Sequence, residues 1–257
     1  MFTLERQQAI YELLRERKSV SVESLARRFF ASETTIRRDL DKLEKNGVLR
    51  RTYGGALLVE GADAEIPLAV REGENVRAKN AIAQAAADMV TDNDIIIMDS
   101  SSSVLRMVPF LAKKRNLTVL TNGAKAAVEL GSMFHNKVYC TGGFLRENSL
   151  SYIGPHAVAF MQTFHAAKLF FSARSIDTAE GVTDINEQEA ELRQVMIRNS
   201  RHVVLLMDSS KIGTVSFSKV CPLSDIDTMI TDDNEAISSP AWMQSGIHIV
   251  RIRSGGG

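Results

Sequence analysis

Two sets of residues in this chain are equipped for chemistry. The first is Ser32-Glu33-Thr34-Thr35-Ile36-Arg37-Arg38-Asp39-Leu40. Guanidinium groups pair bidentately with guanine edges and with phosphates, and hydroxyls serve either partner. Two adjacent arginines and two threonines on one short helix are what a DNA-reading element needs. The second set is a series of small polar clusters, each following an apolar run. These are Asp99 with Ser100, Ser101, Ser102 and Ser103, then Thr121-Asn122, Gly142-Gly143, Arg174 with Asp177, and Asp208 with Lys211. Hydroxyls, free N–H groups at a helix start and nearby cations can hold an anion such as phosphate. Carboxylates such as Asp99 and Asp208 can order the hydroxyls of a polyol or sugar.

The elements that must position the first set are legible from spacing. Ile36, Leu40 and Leu43 fall at i, i+4 and i+7 and define a buried stripe. Thr34, Arg38 and Lys45 then point almost opposite, flanked by Arg37 and Lys42. Ser32 is a good N-cap, and Glu33 complements the positive helix end. Upstream, Val22, Leu25, Ala26 and Phe29 repeat the helical spacing behind the candidate cap Ser21. Phe30-Ala31-Ser32 has the length of a helix-turn-helix turn. Ile10, Leu13 and Leu14 give a first helix its apolar face. Gly47 is a helix stop. Val48 to Tyr53 then reads as a strand that ends at Gly54-Gly55 and pairs with Ser19-Val20-Ser21, which makes a winged helix-turn-helix. On this reading Thr34 and Arg38 meet base edges, while Arg37, Lys42, Arg50 and Arg51 meet phosphates. Thr35 and Lys45 complete the DNA-facing set. Asp39 would repel phosphate, so it is expected to pair with a neighbouring arginine, such as Arg28 or Arg51, and to fix the helix orientation.

A solvated charged helix face would show similar charges. Here the cap, the turn and the basic strand that follows all agree with DNA. Met1–Gly55 carries 12 Lys and Arg against 8 Asp and Glu, and the remainder carries 19 against 23. The overall neutrality therefore hides a basic head, suited to phosphate attraction, on a mildly acidic body.

The second set implies a different architecture. Ile95–Met98, Leu117–Leu120, Lys137–Cys140, Leu169–Phe171, Val203–Leu206 and Thr228–Ile230 are apolar runs separated by helical stretches, the first of them preceded by a helix from about Asn75 to Val90. Such alternation predicts a mainly parallel sheet covered on both faces. Ligands of open α/β sheets bind beyond the carboxyl ends of the strands, which is where the polar clusters fall. The expected organisation is a DNA-binding domain over 1–57, a linker over 58–70 interrupted by Pro67, an α/β domain over 71–253, and a flexible tail over 254–257. Cys140 and Cys221 have no metal or disulfide spacing and read as buried hydrophobes. No metal and no cofactor is expected: there is neither a dinucleotide fingerprint nor a Walker loop. No run approaches the length of a membrane span, and a cytoplasmic location is expected.

These motifs carry a resemblance. Residues 6–57 resemble the N-terminal domain of the DeoR family of bacterial regulators, in the Ser-x-x-Thr-Ile-Arg-Arg-Asp-Leu segment and in Arg51-Thr52-Tyr53-Gly54-Gly55-Ala56. The second half is similar to that family's sensor domain at the Asp99 loop, Thr121-Asn122, Gly142-Gly143, Ser151 to Gly154, Ile176-Asp177 with Gly181, Glu189-Ala190, Asp208 to Lys211 and Thr231-Asp232. The resemblance implies a sensor fold similar to ribose-5-phosphate isomerase and the CoA-transferase group. It also implies a repressor of carbohydrate genes, controlled by a phosphorylated sugar or related metabolite. A double-stranded operator and at least a homodimer are the implied partners. Two departures, Ser101-Ser102-Ser103 and Ala173-Arg174-Ser175 where the family carries glycine, leave room for an atypical ligand. The competing reading is a sugar-phosphate isomerase-like enzyme with a DNA-binding head, which turnover of pentose or hexose phosphates would reveal.

Overall fold

The computed structural model describes residues 3–45, 47–59, 65–133, 135–232 and 235–252. The chain divides into two compact units, Met1–Glu74 and Asn75–Gly257.

The first unit contains α1 (Thr3–Arg17), β1 (Ser19–Ser21), α2 (Val22–Phe29), α3 (Glu33–Lys45), β2 (Leu49–Arg51), β3 (Gly55–Leu58) and α4 (Leu68–Gly73). Ile10, Leu13, Leu14, Val22, Leu25, Ile36, Leu40 and Leu43 meet in one core, as the helical spacing requires. The predicted caps are present: Ser21 Oγ accepts from Ser24 N–H at 3.1 Å and Ser32 Oγ from Thr35 N–H at 3.2 Å. Gly47 follows α3 with φ +70°, the left-handed region glycine adopts without strain.

The wing differs from the sequence expectation. The strand expected over Val48–Tyr53 is only Leu49–Arg51, and it does not pair with Ser19–Ser21. Gly55 opens a further strand, β3, which lies between the other two in the order β1-β3-β2. The linker expected over 58–70 includes residues 60–64, which lie outside the described residues. Beyond them, Pro67 starts α4 rather than ending a helix, and Ile66 and Val70 are buried in the core of the first unit. The tail 254–257 also lies outside the described residues.

The second unit runs α5 (Val76–Asp88), β4 (Ile95–Met98), α6 (Ser102–Leu105), α7 (Val108–Leu111), β5 (Thr118–Thr121), α8 (Ala124–Gly131), β6 (Lys137–Cys140), β7 (Phe144–Leu145), β8 (Tyr152–Ile153) and α9 (Pro155–Gln162). It continues with β9 (Ala166–Phe171), β10 (Ser175–Asp177), β11 (Gly181–Asp184), α10 (Glu187–Arg198), β12 (Ser200–Leu206), β13 (Ser218–Cys221), β14 (Thr228–Asp232), α11 (Pro240–Met243) and β15 (His248–Ile252). Seven strands form one sheet in the order β15-β14-β12-β9-β4-β5-β6. Every pairing in it is parallel. Consecutive residues such as Ile96, Ile97 and Met98, or Leu169, Phe170 and Phe171, are all fully buried. Strand side chains alternate between faces, so both faces of the sheet are covered. The six expected strands are all present. The sequence reading did not find β15 or the antiparallel pieces, β10-β11-β13 and β7-β8.

The helix expected after the serine run is broken into two single turns, α6 and α7. Pro109 in the first turn of α7 has no N–H with which to continue the helix. Cys221 is buried as expected, and burial, then Asp225, pushes its thiol up to about 12. Cys140, at the end of β6, is only half-buried. Among the described residues no helix is long and apolar enough to cross a membrane.

Candidate functional site

The recognition helix presents the face expected of it. Thr34, Arg37, Arg38, Lys42 and Lys45 are exposed, as is Arg50 on β2. Arg37 leans back on Glu33 at 3.2 Å. Thr35 is half-buried, its hydroxyl 2.9 Å from Ser32 Oγ, so it is engaged in the cap. Arg51 is engaged within the unit: its guanidinium pairs with Asp41, and its N–H donates to Glu44 Oε1 at 2.7 Å. It ties the wing to α3 and so sets where Arg50 lies relative to the recognition helix.

The partner expected for Asp39 is corrected. Neither Arg28 nor Arg51 holds it. Arg6 Nε lies 2.5 Å from one carboxylate oxygen, and Gln7 Nε2 donates to the other at 3.2 Å. Both partners come from α1. Asp39 thus fastens the recognition helix to the first helix from inside the core. No periodicity in the sequence reports a pairing across 33 positions.

In the second unit the polar clusters do gather at the carboxyl ends of adjacent strands: Asp99 after β4, Asn122 after β5, Ser172 after β9, Asp208 after β12. Their roles differ from one another. Asp99 is 1% exposed. Its Oδ1 accepts from the Ser101 N–H and hydroxyl at 3.0 and 2.5 Å, and its Oδ2 from Arg193 Nε and Ser172 N–H at 3.0 and 3.3 Å. A carboxylate has about four acceptor positions, so Asp99 has none left for a ligand. Its assignment changes from ligand contact to brace of the serine loop. Asp177 similarly accepts from the Ala179 and Glu180 N–H groups at 2.8 and 3.2 Å, holding the β10–β11 turn.

The brace leads to a cluster the sequence reading missed. Arg193 on α10 is buried and reaches three carboxylates: Asp99 at 3.0 Å, Asp184 at 3.0 Å and Glu189 at 3.4 Å. Burial lowers its pKa, but Asp184, Asp99 and Glu189 outweigh that and raise it well above the ordinary value. Glu189 also accepts from Arg146 and from the Ser151 hydroxyl, each at 2.7 Å. The i,i+4 spacing of Glu189 and Arg193 was visible, but it reads equally well as a solvent-facing pair.

Four of the predicted residues leave hydrogen-bonding or ionic capacity open. Ser103 Oγ, Asn122 Oδ1 and Asp208 Oδ2 are buried and have no hydrogen-bond partner among the described residues. Asn122 points its amide N–H groups at Ser100 Oγ, 3.4 Å, and the Tyr152 carbonyl, 3.3 Å, leaving its oxygen over. Lys211 Nζ donates to Ser172 Oγ and the Ala173 carbonyl at 3.0 Å each and stands 3.9 Å from Asp208 Oδ2. Burial pushes the Asp208 pKa up, but Lys211, the Ser210 hydroxyl, Lys79 and the Asn75 amide together hold it below the usual carboxylate value. Arg174 is half-buried between β9 and β10 and makes no ion pair among the described residues. Thr121 Oγ1 is spent on the Gly123 N–H at 3.0 Å. Gly142 and Gly143 both take positive φ, and a side chain at Gly143 would strike the Ile153 carbonyl. Ser100, Ser101 and Ser102 are buried, and Ser101 caps α6. Among the described residues no cluster of His, Cys, Asp or Glu could hold a metal ion.

A winged helix-turn-helix joined to a parallel α/β unit with open polar groups at its strand ends defines a DNA-binding regulator with a sensor domain. Residues 6–61 match the DeoR-like helix-turn-helix domain and residues 74–233 the DeoR C-terminal sensor domain. The chain belongs to the DeoR family of transcription regulators, which makes it a regulator and not an enzyme. It is 42% identical over 232 residues to the uncharacterized HTH-type transcriptional regulator YulB of Bacillus subtilis, covering 90% of each chain. It is 33% identical over 251 residues to the HTH-type transcriptional regulator GlpR of Haloferax volcanii, covering 97% and 98%. It is 30% identical over 253 residues to a putative aga operon transcriptional repressor of Escherichia coli O157:H7, covering 97% and 94%.

Proposed function

We propose that the protein is a cytoplasmic repressor of carbohydrate-metabolism genes that binds a double-stranded operator as a dimer or larger assembly and responds to a phosphorylated sugar. The observation that carries the effector reading is the trio of buried, unpartnered atoms Ser103 Oγ, Asn122 Oδ1 and Asp208 Oδ2. A buried polar atom without a partner costs roughly 1–3 kcal/mol, and two of these are acceptors, which a sugar hydroxyl would fill. Lys211 and Arg174 supply positive charge for the phosphate. Calorimetry with glucose 6-phosphate, fructose 1-phosphate, ribose 5-phosphate and galactose 6-phosphate tests it. At least one is expected to bind, and Lys211→Ala is expected to weaken it by about tenfold or more, the worth of a charge-assisted hydrogen bond. Full affinity in Lys211→Ala would move the site elsewhere.

On the DNA side, Thr34 and Arg38 read base edges, while Lys42, Lys45 and Arg50 hold phosphates. In duplexes selected from a randomised library, Arg38→Ala is expected to lose about 1–3 kcal/mol of discrimination at one base position. Equal losses on selected and random DNA would return Arg38 to the phosphates.

A further inference from the structure

Asn75 begins the second unit and behaves unlike an ordinary helix cap. It stands at the N-terminus of α5 with φ +51° and ψ +36°, left-handed backbone that a non-glycine residue seldom adopts. An asparagine in this position normally turns its side chain onto the first helical N–H groups. Here it makes no such bond. Its amide instead donates to Asp208 Oδ1 at 2.9 Å and to Ser210 Oγ at 3.2 Å, across more than 130 positions of sequence. The carbonyl of Asn75 accepts the Lys79 N–H at 2.9 Å, so the first bond of α5 depends on where this residue is held.

Asp208 therefore looks two ways. One oxygen holds Asn75. The other has no hydrogen-bond partner among the described residues and stands 3.9 Å from Lys211 Nζ. A ligand that donates to the open oxygen, or draws Lys211 away from it, changes the charge available to the Asn75 amide, because both oxygens share one negative charge.

We infer that the Asn75 side chain is a latch: it ties the residue at which the sensor unit begins to the Asp208–Lys211 loop, and effector occupancy of that loop alters this tie and thereby the chain leading from the DNA-binding unit. The inference rests on the reading that Asp208 and Lys211 meet the effector. Asn75 itself acts by position and does not contact the ligand. The boundary between the units falls at Glu74 and Asn75.

The test uses the full chain and Asn75→Gly, which accepts the left-handed backbone freely but lacks the amide. Three quantities are read: calorimetric affinity for the four sugar phosphates, release of a library-selected operator duplex by whichever of them binds, and hydrogen exchange at the Lys79 amide. Asn75→Gly is expected to keep sugar-phosphate affinity within about twofold, to lose the operator response, and to exchange the Lys79 amide about fivefold faster, the equilibrium worth of one hydrogen bond. Operator release matching that of the unaltered protein would overturn the latch. If none of the four sugars binds the unaltered protein, the effector reading falls by itself. The tie between Asn75 and Asp208 is then judged on exchange alone: an unchanged Lys79 amide in Asn75→Gly overturns it, and faster exchange supports the tie while the effector-driven part of the latch falls with the effector reading.

Discussion

Arg193→Leu is expected to destabilise the sensor unit by about 3–5 kcal/mol, the cost of leaving buried charges without their counter-ion. The guanidinium meets Asp99, Asp184 and Glu189 through three different nitrogens. All four groups are at least nine-tenths buried. Deleting the cation leaves Asp99 and Asp184 without the charge that faces them and leaves Glu189 with Arg146 and Ser151, and leucine fills part of that buried space without answering any of the three. In a unit of this size the loss corresponds to a drop in melting temperature of roughly 10 °C. Arg193→Lys keeps the charge but offers a compact ammonium in place of a planar fork, so it is expected to fall between the two. The effect should also reach the serine loop, because Asp99 holds Ser101 and Ser172 with the oxygens that Arg193 and the backbone help to fix. Differential scanning calorimetry of the full chain is the measurement. A melt of the sensor unit unchanged in Arg193→Leu would mean that the cluster is a solvated feature, contrary to its burial.

What the sequence disclosed follows from the range of the interactions involved. Helix faces and caps in the first unit are set by neighbours three or four positions away, and Ile36, Leu40, Ser21 and Ser32 stand where spacing put them. The strands Ile95–Met98 and Lys137–Cys140 begin and end as read, because an apolar run stopping at a polar cluster is a local signal. The edge strand His248–Ile252 is only partly buried and lacks such a run, so it escaped notice. Pairings between distant segments were illegible. Asp39 with Arg6, Asp208 with Asn75, and Arg193 with Asp99 each join residues whose spacing carries no period. The effector set was found as a place but not as a set of roles. Strand order brings Asp99, Asn122 and Asp208 together at the carboxyl ends of the strands, yet only their hydrogen bonds separate the saturated Asp99 from the open Asn122 and Asp208.

The Gly54-Gly55 pair shows the same division within two residues, and it supports the second large effect. Both glycines read as the end of a strand. In the structure they do unlike things. Val22 N–H donates to the Gly54 carbonyl at 2.8 Å, which uses only the backbone, and a Cβ on Gly54 would meet nothing within 4 Å. A Cβ on Gly55 would lie 1.9 Å from the Val20 carbonyl oxygen and 2.9 Å from Ser21 Cα. Both obstacles are backbone atoms of β1, so no rotamer relieves them, and β1 and β3 must separate. Gly55→Ala is therefore expected to cost the first unit about 3 kcal/mol, the upper range for forcing extra volume into a packed site. Gly54→Ala is expected to change stability by less than about 0.5 kcal/mol. The consequence for DNA is larger than the stability loss alone. Arg50 lies on β2, whose strand partner among the described residues is β3, so Arg50 loses part of its support when β3 moves, while Arg51 stays tied to Asp41 and Glu44 on α3. Operator affinity of Gly55→Ala should fall at all sequences alike, and its salt dependence should flatten by about one unit of slope if the Arg50 phosphate contact goes. Operator titrations at several salt concentrations, with Gly54→Ala run alongside, decide the matter: equal behaviour of the two variants would mean that β1 and β3 do not approach as closely as the structure has them.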